Sequence, residues 1–274
     1  MQGDTPSWAT YLLPFGGLLF VIFFALERLY PWARVPDEAA LSPTGHGWRR
    51  IGRNLGLWAF NSGIISPLIV IPVTLWASTM ALDWRGGWLP DGGSSAWGVL
   101  IDILLLDLWI YWWHRLNHEV PFLWRFHEVH HLDRFLDTTS AVRFHWGEII
   151  LSALVRSIAI ILLGIHQTSI LVFGIVVIAA SIFHHANIGL PYRIDRVLSA
   201  VIVTPSIHWV HHHRKRGDTD SNYAAIFSWW DRLFGSRSAT TRTRDMAIGT
   251  QGLEEKNLKQ LLIGPLRLAM SRRS

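Results

Sequence analysis

The sequence predicts an all-α, polytopic membrane helical bundle of four or five spans with a cytoplasmic histidine-rich cap. Three observations carry this. Hydrophobic residues make up 50% of the 274, and they gather in long runs instead of spreading evenly. Sixteen tryptophans accompany them, and indole favours the bilayer interface. Lys and Arg crowd the connections on one side of the runs and are nearly absent from the other.

Five apolar segments stand near the ~20 residues a span needs: Tyr11–Tyr30, Leu55–Ala81, Ala96–Trp113, Ile149–Ile165 and Thr168–Phe183. Pro67 and Pro72 are expected to kink the second. The last two are short and joined only by Ile165, His166 and Gln167, a tight helical hairpin that need not cross fully. The stretch before Tyr11 lacks the basic region of a signal peptide, so the first segment reads as a retained span.

Orientation follows from the cations. No Lys or Arg precedes Tyr11, the Asp83–Ser95 loop has only Arg85, and the 165–167 turn has none. Pro31–Asn54 carries Arg34, Arg49, Arg50 and Arg53, and His114–Glu148 carries Arg115, Arg125, Arg134 and Arg143. Most of the rest lie between Arg193 and Arg273. With five spans, the N-terminus is outside and the C-terminus cytoplasmic. In the tail from Arg237 to Ser274, Leu258, Leu261, Leu262 and Leu266 are expected on one face of a helix lying on the membrane. The chain reads as a single domain, 1–274, with no internal repeat and no appended redox domain.

The formal charge of +5 and a pI near 10.0 admit nucleic-acid binding. Cytoplasmic flanks of membrane spans account for the same charges, so no nucleic-acid partner is expected. With no cysteine, disulfides, Cys-zinc sites, iron–sulfur clusters and a Cys nucleophile are excluded.

Eight of the fourteen histidines fall into three short runs. His114 and His118 follow the third apolar segment directly. His127, His130 and His131 form HEVHH. His208, His211 and His212 form HWVHH. Residues three and four apart share a helix face, so each run can aim two or three imidazoles at one place. Imidazole suits Zn, Fe, Cu and Ni, and eight nitrogens exceed the need of one metal, which favours a two-metal site. By the cation asymmetry all three runs emerge on the cytoplasmic side.

His145, before the fourth segment, and His184 and His185, at the end of the fifth, extend the candidate ligand set. Adjacent helical residues diverge by about 100°, so only one of the latter pair is expected as a direct ligand, with His185, nearer the cap, preferred. His166 lies on the opposite side and His46 outside the runs. Asp107 shares the helix face of His114 and is a candidate to hold its tautomer. Glu119, Glu128, Asp133, Asp137 and Glu148 are further carboxylates among which the sequence does not choose. Arg156 sits inside an apolar segment, where it pairs with Asp102, snorkels or serves function.

HEVHH also satisfies H-E-x-x-H, the zinc-protease pattern, with Glu128 as base. That reading leaves most of the other ligand-spaced histidines idle. Metal transport, a third reading, predicts polar ligands inside the spans rather than a cluster at one face.

From about Asp107 to Gly235 the chain resembles the fatty acid hydroxylase/sterol desaturase superfamily of integral-membrane histidine-box di-iron enzymes. The resemblance rests on H-x-x-x-H at His114/His118 and on H-x-x-H-H at His127/His130/His131 and at His208/His211/His212. It rests also on RFHWGE, HHANIGLP and the closing NYAAIFSWWDRLFGS. Where relatives often have Pro after the His of RFH, this chain has Trp146. The family-like core is about 97–236 and the tail 237–274. The resemblance implies hydroxylation or desaturation of a lipid substrate by two iron ions, O2 and two electrons from a separate electron-donor protein. Zinc would enter such a site by mis-metallation. Asn222, Tyr223, Trp230, Asp231 and Arg232, in the closing element, are expected to pack the cap onto the metal site. Oxygen insertion into an unactivated C–H bond needs a redox metal, which zinc is not. The expected location is an integral membrane protein of a bacterial inner membrane or the endoplasmic reticulum, in contact with membrane lipids.

Overall fold

The computed structural model describes residues 12–35, 47–83, 90, 93, 95–251 and 256–266. His46, Arg85 and the last residues of the tail lie outside these. Helix α1 spans Leu12–Leu29. Helices α2 (Trp48–Thr79), α3 (Ala96–Glu119), α5 (Trp146–Leu163) and α6 (Gln167–His185) are long and apolar enough to cross a membrane. Between α3 and α5 stands the short α4, Pro121–His131. After α6 come α7 (Tyr192–Leu198) and α8 (Pro205–His211), then a long segment with two single-turn helices, Arg216–Thr219 and Trp229–Leu233, and finally α9 (Leu258–Ile263).

Local chemistry sets the boundaries. Ser95 caps α3 by accepting the Gly98 N–H at 3.1 Å. Val120 takes an extended backbone before Pro121, which opens α4 at the position where a missing N–H costs nothing. Gly164 ends α5 with a left-handed φ of 61°. The break expected at the α2 prolines takes the form of a widened turn. Asn61–Val70, around Pro67, bonds at i→i+5, and the Ile71 N–H reaches the Ser66 carbonyl.

The bundle is turned inside out relative to a soluble protein. Leu18, Val21 and Leu29 of α1, Leu68 and Trp76 of α2, and Leu154 and Leu162 of α5 are exposed. Polar and charged side chains fill much of the interior at one end. An apolar exterior of this extent marks a lipid-facing surface, so the chain is an integral membrane protein. The end of α3, the start of α5, the end of α6 and the start of α2 all meet at that polar end. His166 caps the opposite end of α6, where its Nδ1 accepts the Thr168 N–H.

A buried ionic network stitches the polar end. Arg50 of α2 bridges Asp133, at 2.9 Å, and Asp137. Asn54 donates to Asp133 at 2.8 Å and accepts from Arg143 at 2.8 Å. Glu27 of α1 receives the backbone N–H groups of Thr138 and Asn187. Charges this deep are held only by mutual pairing, and deleting one partner typically costs about 3–5 kcal/mol. The network therefore fixes the 133–143 segment. On the far face of α8, the Arg242 guanidinium stands 3.8 Å from the ring centroids of both Trp32 and Trp209. Gly189 is required beneath Trp32, because a Cβ there would fall 2.1 Å from its ring.

The tail departs from expectation. Its helix is short, and Leu261 is fully buried against Leu57, Val129 and Leu132. It docks on the protein instead of lying on the membrane, while Leu266 stays exposed.

Candidate metal centre

Nine imidazoles converge at the polar end in two groups, each with its nitrogens within 4.8 Å of one another. The first holds His114, His118, His127, His131 and His211; the second holds His130, His185, His208 and His212. Helix α3 contributes to the first and α6 to the second, while α4 and the α8 segment contribute to both. The groups adjoin: the His131 and His212 rings stack at 4.3 Å, tilted by 17°. On α4 and α8 the adjacent histidines 130/131 and 211/212 split between groups. That is the divergence of neighbouring helical positions at work.

The outer nitrogens decide what the inner ones can do. His114 Nδ1 lies 2.7 Å from the Tyr223 carbonyl, His127 Nδ1 2.7 Å from Glu148, and His211 Nδ1 2.6 Å from the Ser221 carbonyl. In the second group, His130 Nδ1 lies 3.1 Å from the Arg143 carbonyl and His185 Nδ1 2.8 Å from the Ser181 carbonyl. Carbonyls and carboxylates only accept, so each of these Nδ1 atoms carries the proton. A neutral ring then points an Nε2 lone pair inward. Yet His114 Nε2 and His127 Nε2 stand 3.1 Å apart, and His130 Nε2 and His185 Nε2 3.2 Å apart. Two lone pairs at that distance repel unless a cation lies between them. At the His130–His185 pair protonation does not supply it. Burial, then neighbouring imidazoles, holds His130, His131, His208, His211 and His212 well below the ordinary histidine range. His131 has both nitrogens buried with no hydrogen-bond partner, as are Nε2 of His211 and Nδ1 of His208 and His212. A donor set of neutral imidazoles with converging lone pairs fits a pair of transition-metal ions.

Two sequence candidates stand outside the groups. His145 caps α5, its Nδ1 accepting the Gly147 N–H at 2.9 Å. Its Nε2 faces the Leu262 carbonyl at 3.0 Å, so it pins α9 to α5 with both nitrogens engaged. Burial pushes it down to about 4, against the Leu262 and Glu148 contributions. His184 packs its ring 4.0 Å from His208 and lines the adjoining cavity. Of the adjacent pair, His185 is the one that enters a group.

The carboxylates sort themselves by partner. Glu148 is the one that holds a group imidazole at close range, with Asp220 3.4 Å from His118 Nδ1. Asp107 does not orient His114. It accepts from the Ile226 and Phe227 N–H groups and from Trp230 Nε1, tying the closing element to α3. Asp231 receives the Tyr223 and Ala224 N–H groups at 2.7 and 3.1 Å, which sets the carbonyl that faces His114. Asn222 adopts a positive φ of 53° at the turn into this element. Glu128 points away from both groups to Trp124 Nε1 at 3.0 Å, which removes the base that a zinc protease needs. Glu119 pairs with Arg115, and Asp133 and Asp137 with Arg50.

An apolar cavity of about 310 Å³ opens from the histidines into the spans. Trp109 and Trp113 of α3, Ile149 and Val155 of α5, and Val177 and Ile178 of α6 line it, with His114, His127, His130, His185 and His208 at one end.

A membrane bundle whose interior end holds two all-histidine groups beside an apolar cavity defines an integral-membrane protein whose histidines could hold metal ions. The chain belongs to the fatty acid hydroxylase family, whose sequence profile matches residues 99–236. It is 27% identical to rat (Rattus norvegicus) cholesterol 25-hydroxylase over 84% of this chain and 75% of that protein. It is 28% identical to the ornithine lipid hydroxylase of Rhizobium tropici over 68% and 55%. With human (Homo sapiens) alkylglycerol monooxygenase the figures are 30% over 53% and 32%. No solved structure matches the chain. These relatives are hydroxylases and monooxygenases, which makes this chain an oxidoreductase.

Proposed function

We propose that this protein hydroxylates a membrane lipid, using O2, a pair of iron ions held by the two histidine groups, and electrons from a separate donor protein. The observation that carries this reading is the set of inward Nε2 lone pairs at the mouth of an apolar cavity among the spans. The first ion would be held by His114, His118, His127, His131 and His211, and the second by His130, His185, His208 and His212. Iron in such a site supplies the redox chemistry that inserts oxygen into an unactivated C–H bond. The chain's own part is positioning. The Tyr223, Ser221, Arg143 and Ser181 carbonyls and Glu148 hold the ring protons on Nδ1 and keep Nε2 available. The cavity walls keep water from the reacting carbon and orient an alkyl chain toward the histidines. The cation asymmetry supports a cytoplasmic position for the groups, within reach of a soluble or membrane-bound reductant. The substrates in the relatives' names, cholesterol, ornithine lipid and alkylglycerol, share a large apolar part with one polar end.

Anaerobically purified, iron-replete protein should hold about two irons per chain. Supplied with a reductase and O2, it should yield a hydroxylated lipid absent from a host lacking the gene. One tightly held zinc per chain with retained activity would overturn this reading.

A further inference from the structure

Arg156 is the cation the metal chemistry does not use. It lies in α5, eight residues beyond Glu148, so its backbone is about 12 Å further from the histidine end at 1.5 Å rise per residue. It lines the same cavity as the histidines. Its Nε is buried without a hydrogen-bond partner. Among the described residues it forms no ion pair, and of the alternatives the sequence offers, pairing with Asp102 is not the one made. Its nearest cavity neighbours along the helix are Ser152 and Val155. Ser152 already accepts from Trp113 Nε1 at 2.8 Å, and the Val155 carbonyl from Trp109 Nε1 at 3.2 Å. A guanidinium inside a span without a counter-charge is costly, and an intramembrane cation of this kind marks a ligand site.

We infer that Arg156 is an anion subsite of the substrate cavity, and that the lipid it accepts carries a terminal oxyanion, a carboxylate or a phosphate monoester. This deepens the reading of the cavity as the substrate site and rests on it. The planar fork of the guanidinium matches an oxyanion bidentately and supplies the charge that the apolar walls lack. With the head fixed at Arg156 and the histidines at the other end, the span between them selects which carbon is presented. Arg156 is thus a specificity-determining residue. A neutral lipid leaves the cation unpaired and loses this interaction.

The test uses the purified full chain in lipid nanodiscs, with binding followed by tryptophan fluorescence, since Trp109 and Trp113 line the cavity. The probes are dodecanoate, dodecyl phosphate, methyl dodecanoate and dodecanol. Dodecanoate or dodecyl phosphate should bind roughly ten- to a hundred-fold more tightly than the ester and alcohol, the range of a charge-assisted hydrogen bond. The better of the two anions identifies the head. Arg156→Gln should bring the anion down to the ester's affinity and leave ester binding and metal content unchanged. Arg156→Lys should keep most of the preference. Equal binding of anion and ester by the unaltered protein overturns the inference, as does a preference that survives Arg156→Gln. If Arg156→Gln does not fold, the four probes on the unaltered protein and on Arg156→Lys decide. Iron-loaded, active protein without the preference overturns only the subsite. An Arg156-dependent preference in a protein that holds no iron and hydroxylates nothing leaves the subsite standing and overturns the reaction.

Discussion

The two histidine groups look alike in composition and differ in what stands behind them. The first is backed by carboxylates as well as carbonyls: Glu148 lies 2.7 Å from His127 and Asp220 3.4 Å from His118. The second is backed by backbone carbonyls at His130 and His185, with the Ser181 hydroxyl 3.4 Å from His185 Nδ1, while His208 and His212 have no partner on Nδ1. A carboxylate behind an imidazole raises the basicity of the nitrogen in front. Under the proposed two-iron reading, the first group is expected to hold its ion more tightly and the second to exchange it more readily. The lesson is that two sites built from one residue type are differentiated by the atoms behind them.

The largest expected effect comes from emptying one group at a time. His118→Ala and His208→Ala should each abolish hydroxylation, by at least about a hundred-fold, and each should lower iron from about two to about one per chain. Loss of both irons from either variant would mean that the groups form one coupled cluster. Next in size is Glu148→Gln, which should weaken metal retention at the first group by about 10–100-fold and spare the second. A chelator titration should then show two release phases brought closer together. Two phases that do not move would remove the carboxylate from this role.

A pH titration sharpens the comparison further. In metal-free protein, burial holds His130, His131, His208, His211 and His212 below their unfolded value of about 6.5. Above that pH both states are neutral and stability is full. As pH falls below it, the unfolded chain takes up protons that the folded chain resists, so stability drops. Melting temperature should be flat above about pH 7 and decline below about 6.5. Bound metal should raise the melting temperature and leave the onset of the decline near 6.5, since that onset is set by protonation of the unfolded chain. The smallest effect is expected at His145. His145→Asn keeps a capping acceptor and loses the bond to Leu262, costing about 1 kcal/mol with metal content unchanged. An iron lost on this substitution would place His145 among the ligands.

The sequence made the groups legible because their signal is local. Spacings of three and four on short helical stretches needed no knowledge of the tertiary fold, and nine of the eleven expected imidazoles come together. His145 and His184 show the limit. A histidine before an apolar helix leaves the same trace whether it caps that helix or binds a metal, and only the Leu262 carbonyl distinguishes the two. The acceptors on Nδ1 were beyond reach because four of them are backbone carbonyls, which every residue has. Asp107 was placed on the right helix face and given the wrong partner. Its contacts, with Ile226, Phe227 and Trp230, lie more than a hundred residues away in the chain. The Arg50–Asp133–Asp137 network spans comparable separations and left no periodic mark. The spans were legible from apolar length alone, while the docking of Leu261 onto Leu57 required the folded partner.

The contribution of the α8 segment to both groups has a consequence for timing. His211 belongs to the first group and His208 and His212 to the second, so the first is not whole before residue 211, nor the second before residue 212, leaves the ribosome. By then every long apolar helix among the described residues has already been synthesised. Each nascent half-site offers only part of its ring of imidazoles, and it is open to whichever ion arrives first. Under the proposed two-iron reading, loading with metal would be a late event in synthesis, because the last-made of the contributing segments completes both groups.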